Sequence, residues 1–188
     1  MYKRQISTLL VRSATQVRKD IIDNCPTLKI IGRGGVGMDN IDVEYAKSKN
    51  INVINTPAAS SKSVAELVFS HLFGCVRFLH ESNRSMPLDG DSKFKELKKS
   101  YAGGRELAGK KIGIIGFGRI GQEVAKIAIG IGMEVLFHDK FIDDASLEIE
   151  FFDGQNILFN MTSSSFDEVL EDSDFISVHI PASDKYII

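Results

Sequence analysis

A glycine-rich loop between a strand and a helix constrains the fold of this chain more than any other stretch. The apolar run 112–115 leads directly into Gly116-x-Gly118-x-x-Gly121, and apolar residues then recur at helical spacing. A second apolar run, residues 134–138, ends at Asp139, eighteen residues after the third glycine. This order of strand, glycine loop, helix, strand and acid predicts a βαβ unit that binds a dinucleotide.

Each residue of this motif has a physical reason for its position. Gly116 permits a tight turn, Gly118 lets backbone amides approach a pyrophosphate, and Gly121 allows close packing of helix on strand. The helix N-terminus offers unpaired N–H donors and the positive end of its dipole. Asp139 can accept hydrogen bonds from both ribose hydroxyls and would repel a 2′-phosphate, which favours NAD over NADP. The neighbouring Lys140 could help to hold a phosphate. The alternative is a turn that binds nothing.

Composition excludes several classes of function. The 188 residues suffice for one domain or parts of two, and 23 basic residues nearly balance 25 acidic ones, so we expect no nucleic-acid or anionic-membrane partner. No stretch is typical of a membrane span or a secretory signal. Cys25 and Cys75 have neither CxxC nor histidine at ligand spacing, which predicts buried thiols in a reducing compartment, no disulfide, no metal site and a cytoplasmic protein.

The first part of the chain alternates between strand and helix patterns. Such alternation indicates a parallel sheet. The predicted strands are residues 6–11, 28–31 and 51–54, and the predicted helices are residues 17–24 and 41–48.

A long apolar helix is predicted next. Ser63-Val64-Ala65-Glu66 reads as a capping box that opens a helix running to about Arg84. Because its apolar residues cover most of the circumference, we expect burial on both sides, between two domains. The charged segment 86–99 contains Pro87 and predicts a solvated connection. A domain boundary is therefore expected near this segment, with residues 1–84 before it and residues 85–188, which carry the dinucleotide motif, after it.

After the nucleotide motif, residues 147–152 and 156–161 flank Asp153-Gly154 and predict a β-hairpin. A helix over residues 166–170 and a strand over residues 174–180 follow. At most four strands of the second domain are thus present, where such a domain normally has about six. The sequence predicts an α/β fold with two Rossmann-like or flavodoxin-like domains and parallel sheets, both incomplete in what we expect to be a piece of a longer protein.

Four stretches together resemble the D-isomer-specific 2-hydroxyacid dehydrogenases, and look most like the D-3-phosphoglycerate dehydrogenases among them. The resemblance implies two similar α/β domains with a cleft between them. It implies that residues 1–84 are the N-terminal part of a discontinuous substrate domain and that residues 85–188 are a truncated NAD-binding domain. The helix from Val64 looks like the interdomain helix of the family. The stretches are residues 32–42 (GRGGVGMDNID), Asn55-Thr56-Pro57 with Val64-Ala65-Glu66, residues 116–121 (GFGRIG) and residues 174–181 (DFISVHIP).

The resemblance also implies a substrate site in the first part of the chain. Val36 and Gly37 match the loop whose backbone amides hold the substrate carboxylate, and consecutive amides in a glycine-rich turn can form an anion nest. Arg12, Ser13 and Arg33 match positions near the substrate, and two arginines would suit a phosphorylated acid. Two alternatives stay open, namely that Arg12 is only solvated at a strand end and that the glycines form only a turn.

Further residues are implied for the cofactor. Arg119 and Ile120 match residues whose backbone meets the pyrophosphate, and His179, Ile180 and Pro181 look like the wall around the adenosine. His179 stands in an apolar strand, where a packed wall residue is expected rather than a catalyst. In the family, the arginine, glutamate and histidine of hydride transfer all follow this strand, so no catalytic residue is named in this chain.

The resulting hypothesis is an NAD-dependent oxidoreductase acting on the CH–OH group of a D-2-hydroxy acid, with 3-phosphoglycerate, and hence serine biosynthesis, as the first expectation. The piece alone is expected to be inactive, and the whole protein is expected to be a homo-oligomer, a dimer or tetramer. The alternative is a non-catalytic NAD-responsive regulator or co-repressor of the same fold.

Overall fold

The structure, a computed structural model, describes residues 5–181 and has the predicted α/β fold. It divides between Ser61 and Lys62 into two compact units. We call the described residues up to 61 the first unit and those from 62 onward the second unit. The domain boundary expected near residue 84 stays a prediction for the whole protein.

The first unit is a three-stranded parallel sheet in the order β1-β2-β3. Val11 pairs with Arg33 and Arg33 pairs with Asn55, so the carboxyl ends of all three strands lie level with one another. The loops that follow these strands therefore leave the sheet at one edge. The elements are β1 (Thr8–Val11), α1 (Lys19–Asp23), β2 (Ile30–Arg33), α2 (Val43–Ser48) and β3 (Asn52–Asn55).

The sheet and helices of the first unit pack around a small apolar core. Ile31, in β2, and Val17, which precedes α1, are both fully buried. The strands begin one or two residues later than predicted, because the apolar residues Leu28 and Ile51 belong to the core although they lie outside the hydrogen-bonded ladder. The other buried apolar members are Val11, Ile22, Cys25, Ile41 and Ala46.

The second unit has a three-stranded parallel sheet in the order β5-β4-β8 and a separate antiparallel hairpin, β6-β7. The glycine motif leaves β4, the central strand, and α5 follows the motif directly. The elements are α3 (Ser61–Val76), α4 (Leu79–Ser100), β4 (Lys111–Ile115), α5 (Arg119–Gly130), β5 (Glu134–His138), β6 (Asp144–Glu150), β7 (Asn156–Thr162), α6 (Phe166–Asp172) and β8 (Phe175–Val178).

The long apolar helix differs from its prediction in two ways. It begins at Ser61, so Ser63 lies in its first turn and does not cap it. It ends at Val76, because Phe78 adopts the left-handed conformation at φ 55° and starts a new helix. One face places residues in the core of the second unit, but Leu67 and Phe73 on the other face are 56% and 43% exposed. Burial of this other face between two domains stays a prediction for the whole protein.

The charged segment 86–99 is helical, which corrects the prediction of a connection without secondary structure. It belongs to α4, which contains Pro87 and a non-helical residue, Lys93, at a kink. The segment contains four lysines and two leucines, which favour helix, and Lys93 pairs with Asp89 at 3.1 Å. The expected solvation does hold, since α4 contains no buried residue.

The β-hairpin forms as predicted, with Asp153-Gly154 in its loop. Gly154 has a φ of +82°, and the Asp153 carboxylate accepts a hydrogen bond from the Gln155 amide at 3.0 Å. One face of the hairpin is apolar: Leu147 pairs with Phe159 and is 1% exposed within the core of the second unit. The hairpin is thus part of this core. Of the two cysteines, Cys25 is buried as expected, whereas Cys75 is exposed.

Candidate functional site

The glycine loop of the second unit has the geometry that its sequence predicts. Gly116 adopts a φ of +93°, and a Cβ there would lie 2.9 Å from the backbone of His179. A Cβ at Gly121 would collide with the carbonyl oxygen of Gly116, so only glycine lets helix α5 approach β4 this closely. A Cβ added at Gly118 would meet nothing within 4 Å, so the loop is open to a large group on this side.

The N-terminus of α5 offers free donors. Gly118 is its N-cap, and no side chain caps the helix. The first intrahelical bond runs from the Gln122 amide to the Gly118 carbonyl at 3.0 Å. Among the described residues, nothing accepts a hydrogen bond from the amides of Arg119, Ile120 and Gly121. Together with the positive end of the helix dipole, these amides form a favourable place for a phosphate.

Asp139 lies beside this loop, at the end of β5. One carboxylate oxygen accepts a hydrogen bond from the Phe117 amide at 2.7 Å, and the other accepts one from the Phe141 amide at 2.8 Å. Its own amide donates to the Ser163 hydroxyl at 3.2 Å, at the end of the hairpin. Since each carboxylate oxygen can accept a second bond, the group is held in place and can still bind hydroxyls.

Phe117 was not singled out from the sequence, yet it anchors the loop. Its ring is fully buried and stacks on Phe137 with centroids 3.8 Å apart. Its carbonyl accepts a hydrogen bond from the Gln122 side chain at 3.0 Å. The sequence carries little signal for this role, because the position is variable in the motif and burial of the ring depends on β5.

His179 and Ile180 lie against Gly116, where β8 ends. The His179 amide donates to the Ile115 carbonyl at 2.7 Å, and a Cβ on Gly116 would lie 2.8 Å from the Ile180 side chain. Burial lowers the pKa of His179 from the ordinary 6.5, and its Nε2 lies 2.8 Å from the Ser177 hydroxyl. His179 is therefore mainly neutral at pH 7. Pro181 is exposed and follows these residues directly.

The first unit has a cavity of about 590 Å³ at the carboxyl edge of its sheet. Both arginines predicted for substrate binding line it, whereas no acidic residue of the described chain does. Neither the Arg12 side chain nor the terminal nitrogens of Arg33 have a hydrogen-bond or ion-pair partner among the described residues. The lining residues are Leu10, Val11, Arg12, Thr15, Gly32, Arg33, Gly34, Ile54, Asn55 and Thr56.

Three hydrogen bonds hold the backbone of the glycine loop beside this cavity. The Gly34 amide donates to the Val11 carbonyl at 3.0 Å, and the Gly35 amide donates to the Thr56 hydroxyl at 2.9 Å. The Val36 carbonyl accepts a hydrogen bond from the Asn55 side chain at 2.7 Å. Within residues 5–181, no acceptor meets the amides of Val36 and Gly37. Two consecutive donors are thus held free in a pinned loop, as an anion nest requires.

The structure brings the predicted residues together in two groups, one in each unit. Arg12, Arg33, Val36 and Gly37 belong to the edge of the first sheet, and Ser13 is exposed in the turn after β1. Residues 116–121, Asp139, His179 and Ile180 belong to the edge of the second. No cluster of three or more potential metal ligands occurs in the part of the chain that the structure describes, and none of its helices is long and apolar enough to cross a membrane.

Several known proteins are similar to this chain in sequence. The chain is 42% identical over 181 residues to a hydroxypyruvate reductase from Thermotoga maritima, covering 96% of this chain and 53% of that protein. It is 39% identical over 185 residues to a D-3-phosphoglycerate dehydrogenase from Methanocaldococcus jannaschii, covering 97% and 32%. The chain therefore spans about half or less of the length of these relatives.

A solved structure and a family model are also similar to this chain. The NAD⁺-bound 3-phosphoglycerate dehydrogenase of Entamoeba histolytica superposes with a TM-score of 0.66 at 30% identity, over 97% of this chain and 49% of that one. Residues 3–172 match the family model described as D-isomer specific 2-hydroxyacid dehydrogenase, catalytic domain. Since that match extends over most of the sequence, the chain belongs to the D-isomer specific 2-hydroxyacid dehydrogenase family.

Proposed function

We propose that the protein to which this chain belongs transfers a hydride between NAD and C2 of a D-2-hydroxy acid, with 3-phosphoglycerate as the first candidate and serine biosynthesis as its context. The observation that carries the proposal is the Gly116–Asp139 arrangement, in which an open glycine loop, free helix amides and a fixed carboxylate converge. Membership of the D-isomer specific 2-hydroxyacid dehydrogenase family supports a dehydrogenase function for this arrangement.

The residues of the second unit fit a dinucleotide. The amides of Arg119 and Ile120 would hold the pyrophosphate above Gly118, where no atom obstructs its approach. Asp139 would accept hydrogen bonds from the ribose hydroxyls, and its negative charge would oppose a 2′-phosphate. His179, Ile180 and Pro181 would border the adenosine. NAD supplies the hydride acceptor when bound, and the role of these residues is to hold and orient it.

The first unit supports the substrate half of the proposal. The free amides of Val36 and Gly37 would bind the carboxylate of the substrate, while Arg12 and Arg33 add two positive charges to a cavity without acids. Ser13 would contribute a hydroxyl from the same turn as Arg12. Two charges beyond the carboxylate site favour an acid that carries a phosphate as well. The similar hydroxypyruvate reductase makes an unphosphorylated acid the second candidate.

A substrate panel on the full-length protein tests this function. We expect NAD reduction with D-3-phosphoglycerate, D-glycerate or a related D-2-hydroxy acid, and a low rate with the L-isomers. No turnover with any acid of the panel, together with NAD binding, would instead favour the NAD-responsive regulator. The presence or absence of the arginine, glutamate and histidine expected downstream separates the same two hypotheses at the level of sequence.

The 188-residue chain alone should have no turnover. The resemblance places the groups that orient the substrate and take its proton after the β8 strand, and this chain spans about half of its relatives. NAD binding, in contrast, needs mainly residues that the chain contains. We therefore expect measurable NAD affinity by calorimetry, with no NADH formed from D-3-phosphoglycerate.

The full-length protein is proposed to be a homo-oligomer, either a dimer or a tetramer, and to be cytoplasmic. In support of an oligomer, α4 has no buried residue and exposes large apolar side chains, including Leu88 at 83% and Phe94 at 54%. A helix of this kind gains most of its stability from packing on a partner. Light scattering of the full-length protein gives the oligomeric state directly.

A further inference from the structure

We propose that Asn40 is a positioning residue for the anion site of the first unit, acting through Arg33. This inference rests on the proposed function of that cavity and adds a residue that does not itself line it. Asn40 is a polar residue that is only 5% exposed, and the next residue, Ile41, belongs to the apolar core of the first unit. A buried amide is retained without cost to stability only if its hydrogen bonds are made.

The Asn40 side chain makes three hydrogen bonds, all to segments at the cavity. Its oxygen accepts from Nε of Arg33 at 3.2 Å. Its nitrogen donates to the carbonyls of Arg12 and Thr15, at 3.0 and 2.6 Å. One side chain therefore connects the arginine at the end of β2 with the turn that carries the other arginine and Ser13.

The bond to Arg33 decides where the guanidinium lies. Nε is fixed by Asn40, and the head group lies over Gly35, where a Cβ would collide with it. Gly35 is adjacent to Val36, the first of the two free amides. The terminal nitrogens of Arg33 make no hydrogen bond to the described residues. The arginine is thus oriented at one end and available for a ligand at the other.

Orientation matters because a free arginine has many rotamers. Ordering such a side chain when a ligand binds costs conformational entropy. A guanidinium that is already fixed avoids this cost and presents its two terminal nitrogens in the fork that matches a carboxylate or phosphate. Asn40 therefore increases affinity for an anion without touching it.

The test measures binding of D-3-phosphoglycerate and of inorganic phosphate to the 188-residue chain by ¹⁵N NMR, following the Val36 and Gly37 amides. Three changes are compared: Asn40→Ala, Arg33→Lys and the two together. Arg33→Lys keeps the positive charge but lacks Nε, so it breaks the bond from the other side. Asn24→Ala is the control, because Asn24 also bonds a backbone carbonyl, that of Asp20 at 2.7 Å, but lies outside the cavity.

We expect each single change to weaken binding about tenfold, and the double change to weaken it no more than either one. The Arg33 Nε–H signal, protected in the unchanged chain, should exchange rapidly in Asn40→Ala. The control should bind normally. If Asn40→Ala fails to fold, Arg33→Lys alone tests the proposal. An affinity of Arg33→Lys within twofold of that of the unchanged chain would show that positive charge is sufficient, and this result would overturn the proposal.

Additive losses in the double variant would also overturn it, because Asn40 would then act on stability and not through Arg33. No shift at Val36 and Gly37 with either probe in the unchanged chain removes the anion site and with it this inference. The proposed use of NAD is tested separately on the same sample, by the response of residues 116–121 to NAD. Failure of the Asn40 inference is therefore distinguishable from failure of the proposed use of NAD.

Discussion

Two glycine loops in this chain follow the central strand of a parallel sheet, yet they present free amides by different means. In the second unit, α5 begins at Arg119, directly within the loop, so its uncapped first turn supplies the donors. In the first unit, the helix starts only at Val43, and a pinned loop supplies the amides of Val36 and Gly37. The carboxyl edge of a parallel sheet can thus present free amides with or without a helix terminus.

The charges beside the two loops have opposite signs. The glycine loop of the second unit lies beside a fixed carboxylate, Asp139, which suits neutral hydroxyls next to a phosphate that the helix holds. The loop of the first unit lies beside Arg33, with Arg12 in the same cavity, so the anion proposed for this loop would be held by side-chain charge. The comparison leads to four predictions, which change one loop at a time.

The largest effect is expected for Gly121→Ala. The added Cβ would collide with the Gly116 carbonyl and lie 3.1 Å from the Ile114 side chain, so α5 must move away from β4. We expect a loss of about 3 kcal/mol of unfolding free energy, measured by urea denaturation. Gly118→Ala is the matched control. Because its Cβ meets no described atom within 4 Å, this change should alter the free energy of unfolding by less than about 0.5 kcal/mol. It should still reduce NAD affinity, because the Cβ lies where the pyrophosphate is proposed to bind.

The second effect concerns the acid of the nucleotide loop. Asp139→Ala should reduce NAD affinity roughly 10- to 100-fold, because hydrogen bonds from the ribose hydroxyls to a carboxylate are lost. NADP affinity should change little, since the same charge opposes the 2′-phosphate. Calorimetric titration with both nucleotides measures this difference. Equal losses for the two would mean that Asp139 acts only by holding Phe117 and Phe141.

The third effect concerns the cavity of the first unit. Arg12→Gln should weaken binding of D-3-phosphoglycerate about tenfold and binding of D-glycerate less, because the arginine is expected to bind the phosphate. NMR titration of the chain gives both affinities. Arg84→Gln, on the exposed helix α4, controls for the loss of one positive charge. Equal weakening for both acids would assign Arg12 to the carboxylate instead.

The smallest effect is a pH dependence of stability from His179. Burial depresses the pKa of its folded state below 6.5, so the unfolded chain binds a proton more readily than the folded chain. The contribution is fully present above pH 6.5 and is lost as the pH falls through the folded pKa. Melting temperatures should therefore decline more steeply below pH 6.5 in the unchanged chain than in His179→Asn. Parallel curves for the two would contradict this assignment.

The glycine motif and the hairpin of the second unit could be predicted well from the sequence because their signals are local. The glycines at 116, 118 and 121 have consequences within one turn of chain, and Asp153-Gly154 specifies a loop by its own backbone preferences. The family could likewise be identified from short motifs. Helix ends were harder, since the break at Phe78 depends on a residue that has no intrinsic preference for a positive φ.

Residues that act through tertiary contacts could not be predicted from the sequence. Asn40 is an example, because its partners at Arg12 and Thr15 lie far away in the chain. Phe117 occupies a variable position of its motif, and only β5 supplies the ring on which it stacks. The face of α3 that stays exposed was also unpredictable, because hydrophobicity indicates that a surface can be buried without indicating what buries it.

The sequence by itself determined the α/β class, the parallel order of strand and helix, the nucleotide loop with its acid and the family. These follow from backbone conformations and periodicities that neighbouring residues impose on one another. Only the tertiary structure decided which side chains meet at each sheet edge, because parallel register aligns Val11, Arg33 and Asn55 and thereby brings distant loops together. The bonds that orient Arg33 and Asp139 exist only once that register is formed.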